Sequence, residues 1–223
     1  MMFIHIVAGS IGILSGFAAM LFAKGSARHR LAGRVYVVAM LVMTTSAFIA
    51  AAFLRPNRIN VLAAMLTCYL VATAWMTLHR RPDRPALLEY LAMVLGGAAC
   101  VYGFAVVAGG ERGGMAGFGL FFGGIAGLCV VSDLRFMLRG VISRTQALAR
   151  HVWRMGFSLA IASGSLFLGQ MKHLPAWLLN SKLNVLIALT PLVLLVFWLV
   201  RVRFPPWRRK TRAGGQSPLA PAR

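Results

Sequence analysis

Acidic side chains are almost missing from this chain. Its 223 residues hold 4 Asp and Glu against 24 Lys and Arg, a formal net charge of +20. So few carboxylates exclude a two-metal carboxylate centre. Cysteine is scarce as well. Cys68, Cys100 and Cys129 lie far apart, none forms a C-x-x-C, and each falls within an apolar run. They read as free, buried thiols acting as small apolar side chains, and no zinc site is expected. The chain also lacks G-x-S-x-G, H-E-x-x-H, a P-loop and the C-x-x-C-H haem attachment sequence. Hydrolase and ATPase chemistry therefore has no recognisable carrier, and no catalytic residue is assigned.

What is abundant is apolar sequence. Hydrophobic residues make up 59% of the chain, against about 45–50% in a soluble domain, and mean hydropathy is +0.76. Seven apolar segments stand out, at 2–23, 34–54, 60–78, 86–107, 114–132, 152–171 and 181–201. Each approaches the ~20 residues with which a helix crosses a ~30 Å hydrocarbon core. A barrel would show short alternating segments instead, and in lipid the backbone must satisfy its own hydrogen bonds. The expected fold is all-α, a seven-helix transmembrane domain over 1–203 followed by a basic, disordered tail over 204–223. The first segment reads as a retained helix, since no cation precedes it and no A-x-A site follows.

The cations fall between the apolar segments, so no nucleic-acid partner is expected despite the basic charge. With the N-terminus outside, segments 24–34, 79–85, 133–151 and 201–223 lie inside and hold 18 Lys and Arg; outside segments hold 5, and Arg154 falls within a span. The positive-inside rule then predicts N-out, C-in in an inner membrane. The basic inner face and tail are expected to attract anionic lipid head groups. A homo-oligomer and a different membrane-protein partner are both left open.

Several local patterns carry expectations. Leu134, Met137 and Val141 recur at helical spacing in the longest inside loop and predict a short interfacial helix. Asp133 is placed at the end of the fifth span. Gly113 and Gly117, then Gly119, Gly123 and Gly127, show the four-residue spacing of close helix packing. The same Gly-rich segment lacks the preceding strand and the following Lys of a phosphate cradle.

Ionisable groups in a bilayer are expensive, so each raises a functional question. His5 opens the first span, with Gly9, Gly12 and Gly16 on the same face. This groove could admit a flat cofactor or another helix. In HVWRMGFSLAIASGSLFLGQMKH, His151 and His173 return to nearly one face, with Met155, Ser158, Ala162, Ser165 and Gly169 between them. If helical throughout, the two imidazoles stand about 33 Å apart along the axis and cannot share an ion. Topology groups His5 with His173 at the outer level, and His29, His79 and His151 at the inner level. His5, His29, His151 and His173 are the candidate cofactor ligands, with b-type haem as the cofactor in view. Glu89 and Arg154 lie at matching depth and are expected to form an ion pair, provided their helices are neighbours.

Three blocks carry a family likeness: HIVAGSIGILSGFAAMLFAKGSARHRLAGRVYVVAM, YLVATAWMTL, and ARHVWRMGFSLAIASGSLFLGQ followed by LVFWLVRVRF. The chain resembles an uncharacterised bacterial family of multi-pass membrane proteins, of the domain-of-unknown-function kind. That resemblance implies a seven-helix inner-membrane protein and brings no activity with it. His5, Lys24, His29, Gly33, His151, Arg154 and Met155 lie in its recognisable blocks. Three functional readings remain: a non-hydrolytic membrane protein for assembly, sensing or scaffolding, a haem- or quinone-linked redox protein, and a small-solute transporter or channel.

Overall fold

The computed structural model describes residues 2–79, 87–138 and 143–204. The expected tail beyond Phe204 lies outside the described residues. Among those described, every regular element is helical: α1 (Met2–Leu21), α2 (Ala27–Ile49), α3 (Arg58–His79), α4 (Leu87–Ala108), α5 (Gly114–Leu138), α6 (Arg144–Phe167), the short α7 (Ala176–Asn180) and α8 (Leu183–Arg203). A π-helical turn over Ala50–Leu54 extends α2 and ends just before Pro56, whose ring cannot continue a helix.

Among the described residues six helices are long and apolar enough to cross a membrane: α1, α2 with its π turn, α3, α4, α5 and α8. The bundle is apolar on its flanks as well as in its core. Phe3, Leu14, Val94, Leu128 and Val193 stand exposed on its flanks, as a lipid-facing surface requires. The expected seventh span at 152–171 is not among the six. Its helix instead runs from Arg144 to Phe167 and buries Arg154, Ser158 and Ser163. The low apolar content of α6 has a packing cause: it is enclosed by α8, α3 and α1, so its inward face need not be apolar.

α3 is the axis of the bundle. It packs on α2, α4, α5 and α6, and its apolar window is 61% buried against 22–33% for the other five candidate spans. One core cluster joins Leu62, Leu66, Tyr69 and Leu70 of α3 to Ala92, Ala99, Ala126 and Cys129. A second joins Val71 to Ile13, Tyr36, Val37, Met40, Leu159 and Ala162.

Small residues set the closest approaches. A Cβ on Gly103 of α4 would lie 2.7 Å from the Gly123 Cα and 2.8 Å from the Gly119 carbonyl oxygen of α5. Gly127 meets the Cys100 sulfur, whereas Gly113 and Gly117 have open space around them. The close-packing pattern is therefore used only from Gly119 onward.

Two expected boundaries move. The basic stretch after α1 is not all loop, because Ser26 caps α2 by accepting from the His29 backbone N–H at 3.1 Å. The short interfacial helix is replaced by the end of α5, which carries Leu134 and Met137 on to Leu138; Val141 lies outside the described residues. Asp133 is buried within α5 instead of ending it.

Candidate functional site

Two polar regions stand out. The first is a buried ionic centre where α3, α5 and α6 meet. Arg154 of α6 is 0% exposed. Its Nη2 donates to Asp133 Oδ1 of α5 and its Nη1 to Thr73 Oγ1 of α3. Nη1 also reaches Asp133 Oδ2 at 3.1 Å, and Nη2 the Cys129 carbonyl at 3.4 Å. The guanidinium lies 5.3 Å from the Tyr69 ring centroid. Tyr69 donates its hydroxyl to Asp133 Oδ2 at 2.6 Å. One turn of α6 earlier, Arg150 donates from Nη1 to Asp133 Oδ1 at 2.5 Å and from Nε to Thr77 at 2.9 Å.

Local sequence explains the assembly. Tyr69, Thr73 and Thr77 recur every four residues and form one polar stripe on α3. Arg150 and Arg154 share a face of α6 for the same reason. Ser143 and Gln146 form a reciprocal capping box that starts α6. A buried carboxylate between two guanidiniums and a phenol has its lone pairs occupied, which offsets its desolvation. Arg154 Nε remains without a hydrogen-bond partner. Beside the centre lies a cavity of about 10 Å³ lined by Thr73, Thr77, Glu89, Asp133 and Arg150, room for about one water.

The expected Glu89–Arg154 pair is corrected here: Asp133 is the carboxylate that Arg154 holds. The expectation required α4 and α6 to be neighbours. Instead α4 packs mainly on α3 and α5, and Glu89 lines the small cavity together with Asp133.

The second region is the end of the bundle where α1 and α3 finish and α2 and α6 begin. His29 Nδ1 bonds the Ala19 carbonyl at 2.9 Å, and His151 Nδ1 bonds the Ala74 carbonyl at 3.1 Å. His79 Nδ1 bonds the Trp75 carbonyl at 2.9 Å and its ring stacks on Trp75 at 4.2 Å. A carbonyl only accepts, so each Nδ1 carries a proton, and a ring in its neutral form then has its lone pair on Nε2. His29, His79 and Lys24 all lie within electrostatic reach of His151. Lys24 donates to the Ala19 and Met20 carbonyls at 2.9 and 2.6 Å, and sits 4.1 Å from the centroid of a Trp198 ring. It thereby completes the open C-terminus of α1 and ties it to α8. Partial burial pulls the Lys24 ammonium down to about 8.

The four candidate histidines do not form one site. His5 sits at the opposite end, with Nδ1 on the Met43 carbonyl at 3.2 Å. His173 is exposed in a 3₁₀ turn over Met171–His173, past the end of α6. Helical continuity from His151 to His173 is therefore corrected. Among the described residues no group of three or more His, Cys, Asp or Glu could hold a metal ion.

The glycine groove of α1 is filled. A Cβ on Gly16 would lie 2.8 Å from Leu159 and 2.9 Å from the Tyr36 ring, and one on Gly12 would lie 3.0 Å from the Met40 sulfur. The small face of α6 is likewise a packed seam, where Ser158 and the Tyr36 hydroxyl bond at 2.6 Å. Comparison with family models, curated proteins and solved structures gives no match to this chain.

Proposed function

We propose that this is a seven-helix integral protein of a bacterial inner membrane, N-terminus outside and C-terminus inside, with a non-hydrolytic role in assembly, sensing or scaffolding. Six apolar helices support the membrane setting. The uneven cation split and the family resemblance support the orientation and the bacterial origin, and α6, shielded by its neighbours, supplies the seventh span. The observation that carries the non-hydrolytic reading is the closure of the ionic centre. Asp133 is occupied by Arg154, Arg150 and Tyr69, so its carboxylate is not free to act as a nucleophile or base. Replacing the three charges together, Arg150→Met and Arg154→Met with Asp133→Leu, tests this. Exchanging a whole buried ionic triad for apolar residues is often tolerated, so the triple variant folds, inserts and complements a deletion phenotype. A folded, inserted triple variant that fails to complement overturns the reading.

A second reading rests on a separate observation. His29 and His151 lie at one end on different helices, each with its Nδ1 proton held by a carbonyl. Such a bond from Nδ1 to a carbonyl is what orients a ligating imidazole with Nε2 free. They fit a b-type haem, which would supply one-electron transfer. Purified protein would then show a Soret band that His29→Ala or His151→Ala abolishes. Protein without a Soret band after haem supplementation removes this reading.

A further inference from the structure

A groove of about 400 Å³ runs between the last turns of α5 and the first turns of α6. Its lining is graded along α5. Leu128 and Val131 lie toward the middle of the span, and Ser132 and Arg135 follow toward the end. These positions are three, four and seven residues on from Leu128, so they form one stripe about 10 Å long. Across the groove stand Gln146 and Arg150 of α6. Gln146 uses its Oε1 to accept from the Ser143 backbone N–H at 3.1 Å, which leaves its NH₂ as donor. Arg150 is only 12% exposed and is held in place by Asp133, Thr77 and the Phe136 ring, 4.3 Å from its guanidinium. Its Nη2 carries no hydrogen bond to the described residues. Among the described residues no Asp or Glu lines the groove.

We infer that this groove binds one anionic phospholipid, with its phosphate on Arg135, Arg150 and Gln146 and its acyl chain along Leu128 and Val131. The inference rests on the membrane reading above. The groove is apolar where the hydrocarbon would lie and cationic where the head group would lie. Lacking a carboxylate, it offers no partner to the ammonium of a zwitterionic head group, so it selects net negative charge. Arg150 is pre-oriented by its own bonds, and a guanidinium suits a phosphate bidentately. Because Arg150 also holds Asp133, the lipid would sit two bonds from the buried centre and brace it.

The test uses the full chain purified in mild detergent. Native mass spectrometry compares phosphatidylglycerol with phosphatidylcholine, and thermal unfolding compares phosphatidylglycerol with inorganic phosphate. The wild type should retain one phosphatidylglycerol about fivefold more than phosphatidylcholine, as one surface cation implies. Arg135→Gln, at an exposed position outside the capping box, should lose that preference while keeping its lipid-free unfolding midpoint. Arg28→Gln with Arg34→Gln, exposed cations elsewhere on α2, should keep it. The inference fails if the groove variant retains the preference, if the α2 variant loses it equally, or if inorganic phosphate stabilises as well as the lipid. Protein that binds neither lipid and is released from membranes by alkaline carbonate overturns the membrane reading itself.

Discussion

Asp133 gathers four hydrogen bonds from three residues on one carboxylate, so its neighbours differ in what their loss does. Tyr69→Phe removes a hydroxyl that donates to a buried charge, and about 1.5–3 kcal/mol of stability should go with it. Arg154→Met alone leaves the carboxylate under-compensated in the core, and about 3–5 kcal/mol should be lost. Unfolding midpoints in detergent micelles check both, and the order Arg154→Met worse than Tyr69→Phe is the expected outcome. Lys24 gives a pH signature. Burial lowers its folded-state value to about 8, while an unfolded lysine holds its proton to about 10.4. The unfolded chain therefore binds more protons between those values, and stability attributable to Lys24 rises with pH across that window. Wild type should gain stability over Lys24→Gln from pH 8 to pH 10, and a flat difference would contradict the shift. At this scale the sequence showed Arg154 as an embedded charge needing a carboxylate. It also held an unused signal, the Tyr69, Thr73 and Thr77 stripe, that marks which face of α3 receives it. Depth alone could not choose between Glu89 and Asp133, because that choice depends on which helices touch.

Among the helices, α4 and α5 meet backbone to backbone at Gly103, so an added methyl has no flexible side chain to displace. Gly103→Ala should separate the pair and destabilise by about 1–3 kcal/mol. Gly97 lies on the same helix with nothing within 4 Å, and Gly97→Ala should be neutral or slightly stabilising, since Ala is the better helix former. Urea or thermal unfolding of the two variants side by side checks the contrast. The small-residue spacing was readable in the sequence for Gly119, Gly123 and Gly127, but their partner Gly103 was not, because one helix's spacing does not name its neighbour. The start of α6 carried a signal that went unused, Ser143 and Gln146 three residues apart, and the apolar run alone put the span's start at 152. Its end carried none: an apolar run continues past Phe167, and only the loss of helical bonding marks where the chain turns out.

For the molecule as a whole, the arrangement across the membrane can be read by labelling. Single cysteines placed at Ala27 and Arg112 should separate cleanly. Arg112→Cys should react with an impermeant maleimide on intact cells, and Ala27→Cys only after permeabilisation. Lys172→Cys should behave as Arg112→Cys does if α6 crosses, which makes it the direct check on the seventh span. Labelling of Ala27→Cys and Lys172→Cys on the same side would restrict the crossing helices to the six apolar ones.

Apolar runs, by themselves, determined a helical chain with segments long and apolar enough to cross a membrane. Those properties follow from transfer of side chains between water and hydrocarbon, which depends on local composition. Tertiary structure alone decided that Asp133 and not Glu89 meets Arg154, that the α1 glycines receive Tyr36 and Leu159, and that His5 and His173 stand apart from His29 and His151. Each of these is a contact between residues distant in sequence. The physical reason is that burial needs only the right kind of residue, whereas pairing needs to know which helix stands beside which.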